Sequence, residues 1–447
     1  MKNLTMARII AEKIEKNGGR AYFVGGFVRD RLCGTENKDI DIEVHGIEPS
    51  ELCNILSELG SLIKTGKSFG VYSLRGYNID IAMPRTEYLT GTKHTDFEIN
   101  IDPKIGTQKA AIRRDFTINA LMEDILTGEI TDHFGGRQDL KNGIIRHVND
   151  KSFCEDALRV LRGAQFAARF GFAIHPQTLK LFSKIDLSDL ARERVMEELS
   201  KAMLKSPKPS VFFEVLRSAD ALDTWFPELK ALIGIEQNPA YHAEGDVWTH
   251  TMMVIDEAAN FRHLVTNPLG FMLSAVIHDL GKITCTVVID GVIHAYRHET
   301  EGLPIIEKFL HRLTNENALI KYVLKLCEFH MKPRILAQNK SSIKSTNKMF
   351  DSVPDPTGLI YIAEADNRGK LPKREDKNQL EFLLKRRDMY LETMSKPHVM
   401  GKDLIDAGLT PDERFSEILS YAHKLRLAGV EKESALKQTL AYAKKLK

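Results

Sequence analysis

Apolar side chains recur at helical spacing through residues 4–17, and the run stops at Gly18-Gly19, a natural helix end. A short apolar run at 21–24 predicts a strand; Gly25-Gly26 follow, and then a helix-like segment, FVRDRLCG. Residues 39–44, DIDIEV, alternate acidic and apolar side chains, the period of a half-buried strand. Residues 50–60 read as a helix, and VYSLRG with YNIDIAM reads as a hairpin. The first 145 residues are therefore expected to be α+β with a small mixed sheet. From about 150 the pattern turns helical with hardly a strand signal. Segments 154–172, 192–204 and 209–222 each keep an apolar stripe, another helical block runs from 240 to about 395, and 396–447 holds two or three more helices. The polar stretch 338–348 and the proline-rich 352–358 are expected to be loops.

At 447 residues the chain has room for about three domains. Its 63 Lys+Arg stand against 61 Asp+Glu, so no global field draws it to nucleic acid, and any RNA surface must come from local clustering. A hydrophobic share of 43% with 28% charged residues fits a soluble globular protein and excludes a disordered or fibrous one. The five cysteines are far apart and never form a CxxC pair, which argues against a disulfide framework or a cysteine zinc site. No apolar run approaches the roughly 20 residues needed to span a bilayer, and the N-terminal amphipathic segment carries glutamates, unlike a signal peptide. A cytoplasmic protein without a membrane partner is expected.

The sharpest chemical signal is Gly25-Gly26, then twelve residues, then Asp39-Ile40-Asp41-Ile42. Strand alternation sends Asp39 and Asp41 to one face, close enough to share a divalent cation. Two hard carboxylates suit Mg²⁺, which takes remaining ligands from water and substrate phosphates. The glycines let backbone N–H groups approach a triphosphate where a Cβ would collide, and Arg29 adds a cation one turn on. Asp80, in a second strand, is a candidate third carboxylate. The combination resembles the polymerase-β-type nucleotidyltransferase signature.

RRDFTINAL (113–121), EDALRVLR (155–162) and RERVMEELSKAML (192–204) resemble the motifs of class II tRNA nucleotidyltransferases, the CCA-adding enzymes. Asp156, Arg159 and Arg162 fall three apart and share one helix face. A carboxylate only accepts hydrogen bonds and a guanidinium only donates. Together they match the amino donor and ring-nitrogen acceptor of cytosine and adenine, and leave guanine and uracil with unpaired groups. The resemblance implies that Asp156 and Arg159 read the base while Arg162 and Arg114 meet phosphates. It implies tRNA, CTP and ATP as partners, not DNA, and two-Mg²⁺, in-line nucleotidyl transfer at Asp39 and Asp41. Gln165 departs from relatives that often carry arginine there. The stretch from Pro84 to Ile112 is long enough for the flexible loop that A-adding relatives need. A poly(A) polymerase or an A-only enzyme is the alternative, since both reuse this head and neck.

A second constellation follows. His250 lies in a helical segment, and His278-Asp279 close an apolar helix just before Gly281. His298, His330 and Asp366 come later. The set resembles the two-metal version of the HD-domain phosphohydrolase pattern. Imidazole and carboxylate together fit Ni²⁺, Mn²⁺, Fe²⁺ or Zn²⁺ without choosing among them. The implied chemistry is metal-assisted hydrolysis of a phosphoester, with Lys282 as a candidate phosphate contact. Finally, residues 424–447 hold seven Lys/Arg against two Glu, a candidate surface for the tRNA backbone. The expected organisation is a nucleotidyltransferase head (1–148), an all-α neck and body (149–235), an α-helical HD domain (236–370) and a helical tail (371–447).

Overall fold

The computed structural model describes residues 2–35, 37–65, 71–89, 97–372 and 377–446. The chain packs as two compact units, one formed by 1–202 with 211–225, the other by 203–210 with 226–447.

In the first unit the helix Lys2–Lys16 buries Ala7, Ile10, Ala11 and Ile14, one stripe at 3.6-residue spacing. Gly18, at φ +80°, carries the chain out of it. The strands are β1 (Arg20–Val24), β2 (Ile40–His45), β3 (Leu62–Thr65), β4 (Val71–Leu74), β5 (Ile79–Ala82), β6 (Arg85–Leu89), β7 (Phe97–Ile101), β8 (Met122–Asp124) and β9 (Ile130–Thr131). Seven of them form a mixed sheet in the order β3-β4-β5-β2-β1-β8-β9. Only β2 and β5 run parallel, so Asp41 stands beside Asp80. Ile40, Ile42 and Val44 join the buried cluster that includes Ile10, Ile14, Leu52 and Leu56. The alternate residues of the same strand, Asp41, Glu43 and His45, belong to the opposite face. β6 and β7 pair as a separate hairpin; the expected flexible loop falls partly on 90–96, outside the described residues.

The expected boundary at 148 lies inside this unit, for a packing reason. Phe116 meets Phe153 and Phe166 edge-on, with ring centroids 5.5 and 5.8 Å away, so the helix Leu158–Phe170 shares a core with the segment carrying RRDFTINAL.

The second unit is built on the helices Val247–Ala259, Pro268–Ile277, Asn317–Phe329 and Pro356–Arg368, around buried Trp248, Phe271 and Leu326. Asp355, 2% exposed, caps the last of these at Gly358 N and also accepts from Thr266 and the Tyr322 hydroxyl. The tail helices Gly401–Asp406, Phe415–Leu427 and Lys432–Lys445 keep a small core of their own, including Leu404, Ile418 and Ala435.

Two expectations are corrected here. Residues 332–338 and 343–351 are helical, so most of the polar stretch 338–348 is not loop. The block after 240 also contains a hairpin, Thr286–Ile289 with Val292–Ala295, turning at Asp290-Gly291 with φ of +50° and +75°. Asp-Gly between β-branched runs is the expected signal for such a turn.

Candidate active sites: an acidic sheet face and a histidine pocket

On the open face of the first sheet, Gly25 adopts φ +69°, ψ −136°, a conformation essentially reserved for glycine. A Cβ on Gly25 would lie 3.4 Å from Arg114 Nη1 and 3.6 Å from Asp41 Oδ2, so the turn, the acid and the arginine share one small space. Asp41 reaches solvent, yet the surrounding walls displace enough water to push its carboxyl above the ordinary range. Arg114 opposes that shift, while the charges of Asp80 and Asp39 add to it. Asp80 accepts from the Ser73 hydroxyl at 2.6 Å. Asp39 lies one residue ahead of β2, where its carboxylate accepts from Asn78 Nδ2. Asp41 thus feels the charges of both Asp39 and Asp80, with burial the larger cause of its shift.

Behind them, Glu43 is almost wholly buried and accepts from Arg114 Nη2 at 3.0 Å, with His45 Nε2 3.0 Å from its other oxygen. Burial alone would raise its pKa; the His45 hydrogen bond and the guanidiniums of Arg114 and Arg113 outweigh that and bring it to about 2.

The other expected nucleotide contacts are placed differently. Arg29 is 4% exposed, donating Nε to Asp30 Oδ1 and Nη1 to Asn119 Oδ1, each at 2.7 Å. Asn119 donates to Asp115 at 3.0 Å, and Asp115 Oδ2 takes both Nε and Nη2 of Arg162, at 2.9 and 2.7 Å. Both guanidiniums flank the Phe166 ring, at 5.2 and 5.3 Å from its centroid. This chain of polar contacts ties the glycine-turn helix to the helix Leu158–Phe170. Arg29 and Arg162, expected to meet phosphate, are engaged by these side chains in this structure. Gln165, 1% exposed, faces the interior, so its turn offers no phosphate contact.

Asp156 and Arg159, expected to read the base, also have partners within the protein. Asp156 precedes the helix and accepts from Leu158 N at 3.1 Å, while Arg159 donates to the carbonyls of Ser152 and Arg113. Asp156 is gripped instead by Arg194, on the helix Arg192–Lys205. Arg194 lies inside a motif legible in the sequence, but three dozen residues from its partner, and no local spacing points to the pairing.

The second unit holds the histidine pocket. His278, His298 and His330 each place Nδ1 against the carbonyl three residues back, at 3.0, 2.8 and 2.7 Å. A carbonyl can only accept, so each Nδ1 carries a proton, and each Nε2 faces the pocket. All three converge with His250 on Asp279. Its Oδ2 lies 3.3 Å from His278 Nε2 and 3.6 Å from His250 Nε2; its Oδ1 lies 3.2 and 3.9 Å from His298 and His330 Nε2. One carboxylate therefore joins two ligand triads, His250–His278–Asp279 and Asp279–His298–His330. Asp366 Oδ1 adds to the first, 3.0 Å from His250 Nε2.

This donor set fits divalent metal. His278 Nε2 is buried with no hydrogen-bond partner, a lone pair that metal would fill. Burial and the neighbouring imidazoles of His278 and His298 push His330 down to about 3, leaving it neutral as a ligand must be. Burial disfavours charge on Asp279, yet His278 and Lys282 hold it well below the carboxylate range. Asp279 Oδ2 is 2.7 Å from Lys282 Nζ but in poor hydrogen-bonding alignment, so that contact is electrostatic and the oxygen keeps capacity for a ligand.

Glu244 is a residue that sequence reasoning missed. Its side chain is fully buried, with Oε1 2.7 Å from His242 Nδ1 and 3.1 Å from His250 Nδ1, which orients the ligand imidazole from behind. The only trace of it was His-x-Glu ahead of a helix, a weak signal. The pocket opens into a cavity of about 690 Å³ whose walls include Tyr241, His294 and Arg334. His294 stacks on Tyr296 at 4.8 Å, so the missed hairpin supplies an aromatic rim.

Residues 21–146 match the family model described as a Poly A polymerase head domain, and 171–233 match one described as a probable RNA and SrmB-binding site of polymerase A. Residues 21–146 thus resemble a nucleotidyltransferase head of the poly(A) polymerase type. The multifunctional CCA protein of Haemophilus ducreyi is 34% identical over 361 residues, covering 78% of this chain and 85% of that one. Its counterpart from Pasteurella multocida is 35% identical over 378 residues, covering 81% and 87%. The chain belongs to the multifunctional CCA protein family. The fold is shared with the Bacillus stearothermophilus CCA-adding enzyme in complex with CTP (TM-score 0.69, 20% identity, 100% of this chain and 99% of that one). It is shared too with the Thermotoga maritima CCA-adding enzyme complexed with tRNA (TM-score 0.65, 21% identity, 98% and 95%). Among the described residues no helix is long and apolar enough to cross a membrane.

Proposed function

We propose that the chain is a CTP(ATP):tRNA nucleotidyltransferase that adds the terminal C, C and A, and that its histidine pocket is a metal-dependent phosphohydrolase. The observation that carries the first part is Asp41 beside Asp80, with the Gly25 turn and Arg114 against it. Asp39 and Asp41 would hold Mg²⁺, which would supply the charge that steadies a triphosphate and acidifies a ribose hydroxyl. The chain's own groups do the rest. The Gly25 turn brings backbone close to the phosphates, and Arg114, fixed by Glu43, presents a guanidinium to them. The tRNA 3′-hydroxyl loses its proton to solvent and its oxygen bonds to the α-phosphorus as the bond to pyrophosphate breaks, and pyrophosphate leaves with the electron pair. Asp156 offers acceptors to the amino group of cytosine or adenine, with Arg194 as the donor beside it in this conformation.

In the histidine pocket, Asp279 with His250, His278, His298, His330 and Asp366 would hold two ions such as Ni²⁺ or Mn²⁺, which activate water toward phosphorus. The Nδ1 hydrogen bonds lock the imidazole rings in place, and Glu244 holds His250. In the tail, Arg426 donates to the carbonyls of Thr393, Met394 and Lys396, and Lys432 pairs with Asp403. Exposed Lys424, Lys437, Lys444 and Lys445 are then the cations proposed to meet the tRNA backbone.

The test supplies radiolabelled CTP and ATP with tRNA truncated at its discriminator base, products sized on a gel. Two cytidines followed by one adenosine are expected. Incorporation from ATP alone would move the assignment to the A-only or poly(A) alternative.

A further inference from the structure

The cations around the histidine pocket are unequally engaged. Lys282 lies 2.7 Å from Asp279 and donates to Gln237 Oε1 at 2.7 Å, which corrects its expected role as a phosphate contact. Lys370 lies 3.0 Å from Asp366. Both ammonium groups are neutralised by carboxylates of the pocket itself. Arg334 differs. It lines the same cavity, half-buried, and makes no hydrogen bond or ion pair among the described residues. Its Nε is shut away from solvent with no acceptor. The guanidinium thus keeps donors unspent beside the cavity, available to a ligand oxygen.

Its place in the chain supports a ligand role. The backbone stays helical through His330 and Met331 into the helix Lys332–Gln338, so Arg334 stands one turn beyond the ligand His330. A guanidinium fork matches two oxygens of a phosphate better than any other common anion-binding side chain. Tyr241, His294 and Ile335 leave room in the cavity for an organic group attached to that phosphate.

We propose that Arg334 is the anion anchor of this cavity, binding the non-bridging oxygens of a phosphate or phosphate ester held at the histidine pocket. The inference rests on the phosphohydrolase reading for what becomes of the phosphate, but not for its binding. A nucleic-acid terminus and a small phosphomonoester share this chemistry.

The test uses the full chain loaded with Ni²⁺ or Mn²⁺ and [³²P]phosphate in equilibrium dialysis. Arg334→Ala should weaken phosphate binding at least about tenfold, with metal content and melting profile like the parent chain. Arg334→Lys keeps charge but loses the fork, and should weaken it by about threefold or more. If the alanine variant misfolds, the lysine variant decides. Binding within about twofold of the parent, or no binding by the parent, overturns the proposal. Competition by p-nitrophenyl phosphate and by an oligonucleotide with a 3′-phosphate identifies the source of the phosphate. Hydrolysis of bis(p-nitrophenyl) phosphate is followed in parallel. Its absence alongside Arg334-dependent binding refutes the phosphohydrolase reading and leaves the anchor standing.

Discussion

Arg194 Nη2 donates to both carboxylate oxygens of Asp156, at 3.0 and 3.3 Å. Asp156, the second acid of EDALR (155–159), is therefore aimed by a guanidinium from a different helix, while Arg159 braces backbone carbonyls. A carboxylate has about four lone-pair positions. Arg194 and the Leu158 amide occupy only part of that capacity, so Asp156 can still accept from a base.

Asp156→Ala removes those acceptors. We expect kcat/KM with CTP and ATP to fall at least about 100-fold, and the preference over UTP and GTP to shrink, in single-nucleotide initial rates. Arg194→Ala should change unfolding free energy by no more than about 1 kcal/mol, since the pair is half-exposed, while raising the KM for CTP more than it alters kcat. An unchanged KM would remove Arg194 from base selection.

Asp39→Asn and Asp41→Asn each delete a hard anionic ligand without changing shape. Nucleotide addition should drop at least about 100-fold, and thermal unfolding should be preserved or improved because repulsion at Asp41 is relieved. Residual addition near the parent rate would refute the placement of Mg²⁺.

Gly281 abuts the short helix His298–Glu301. A Cβ there would lie 2.0 Å from His298 O and 2.9 Å from Gly302 Cα, both backbone atoms that cannot step aside cheaply. Gly281→Ala should cost about 1–3 kcal/mol of stability and, by displacing His298, lower bound metal. His278→Ala should lower metal content and abolish phosphoester hydrolysis. Metal analysis of both proteins and a chemical denaturation curve check these outcomes.

Acid should weaken the first unit through Glu43. Its folded pKa of about 2 lies below the ordinary 4.5, so the fold favours the charged form. That contribution is full above about pH 4.5 and is lost as pH falls toward 2. From the size of the shift it is on the order of 3 kcal/mol. In Glu43→Gln, unfolding free energy should depend less on pH across that window. An identical acid limb in both proteins would count against the buried Arg114–Glu43–His45 arrangement.

Local periodicity carried much of the architecture. The stripe at 7, 10, 11 and 14 and the alternation at 39–44 each need only one element and water on one side, so neighbouring residues suffice to specify them. The adjacent His278-Asp279 at a helix end and the acids spaced by two are likewise local, which is why those candidate residues were legible. Periodicity misled where two signals overlapped: Asp290-Gly291 between β-branched runs was absorbed into a helical block.

Spacing along the chain specified which residue types stand two, three or four apart, and therefore which share a strand or helix face. Which cations meet which anions was set by the folded chain. Arg29 and Arg162 close on Asn119 and Asp115, Arg194 takes Asp156, and Lys282 takes Asp279, leaving Arg334 unpaired among the described residues. The reason is physical: a charge can be buried only beside a partner, and its partner is chosen by the approach of distant segments as the core closes, not by spacing along the chain.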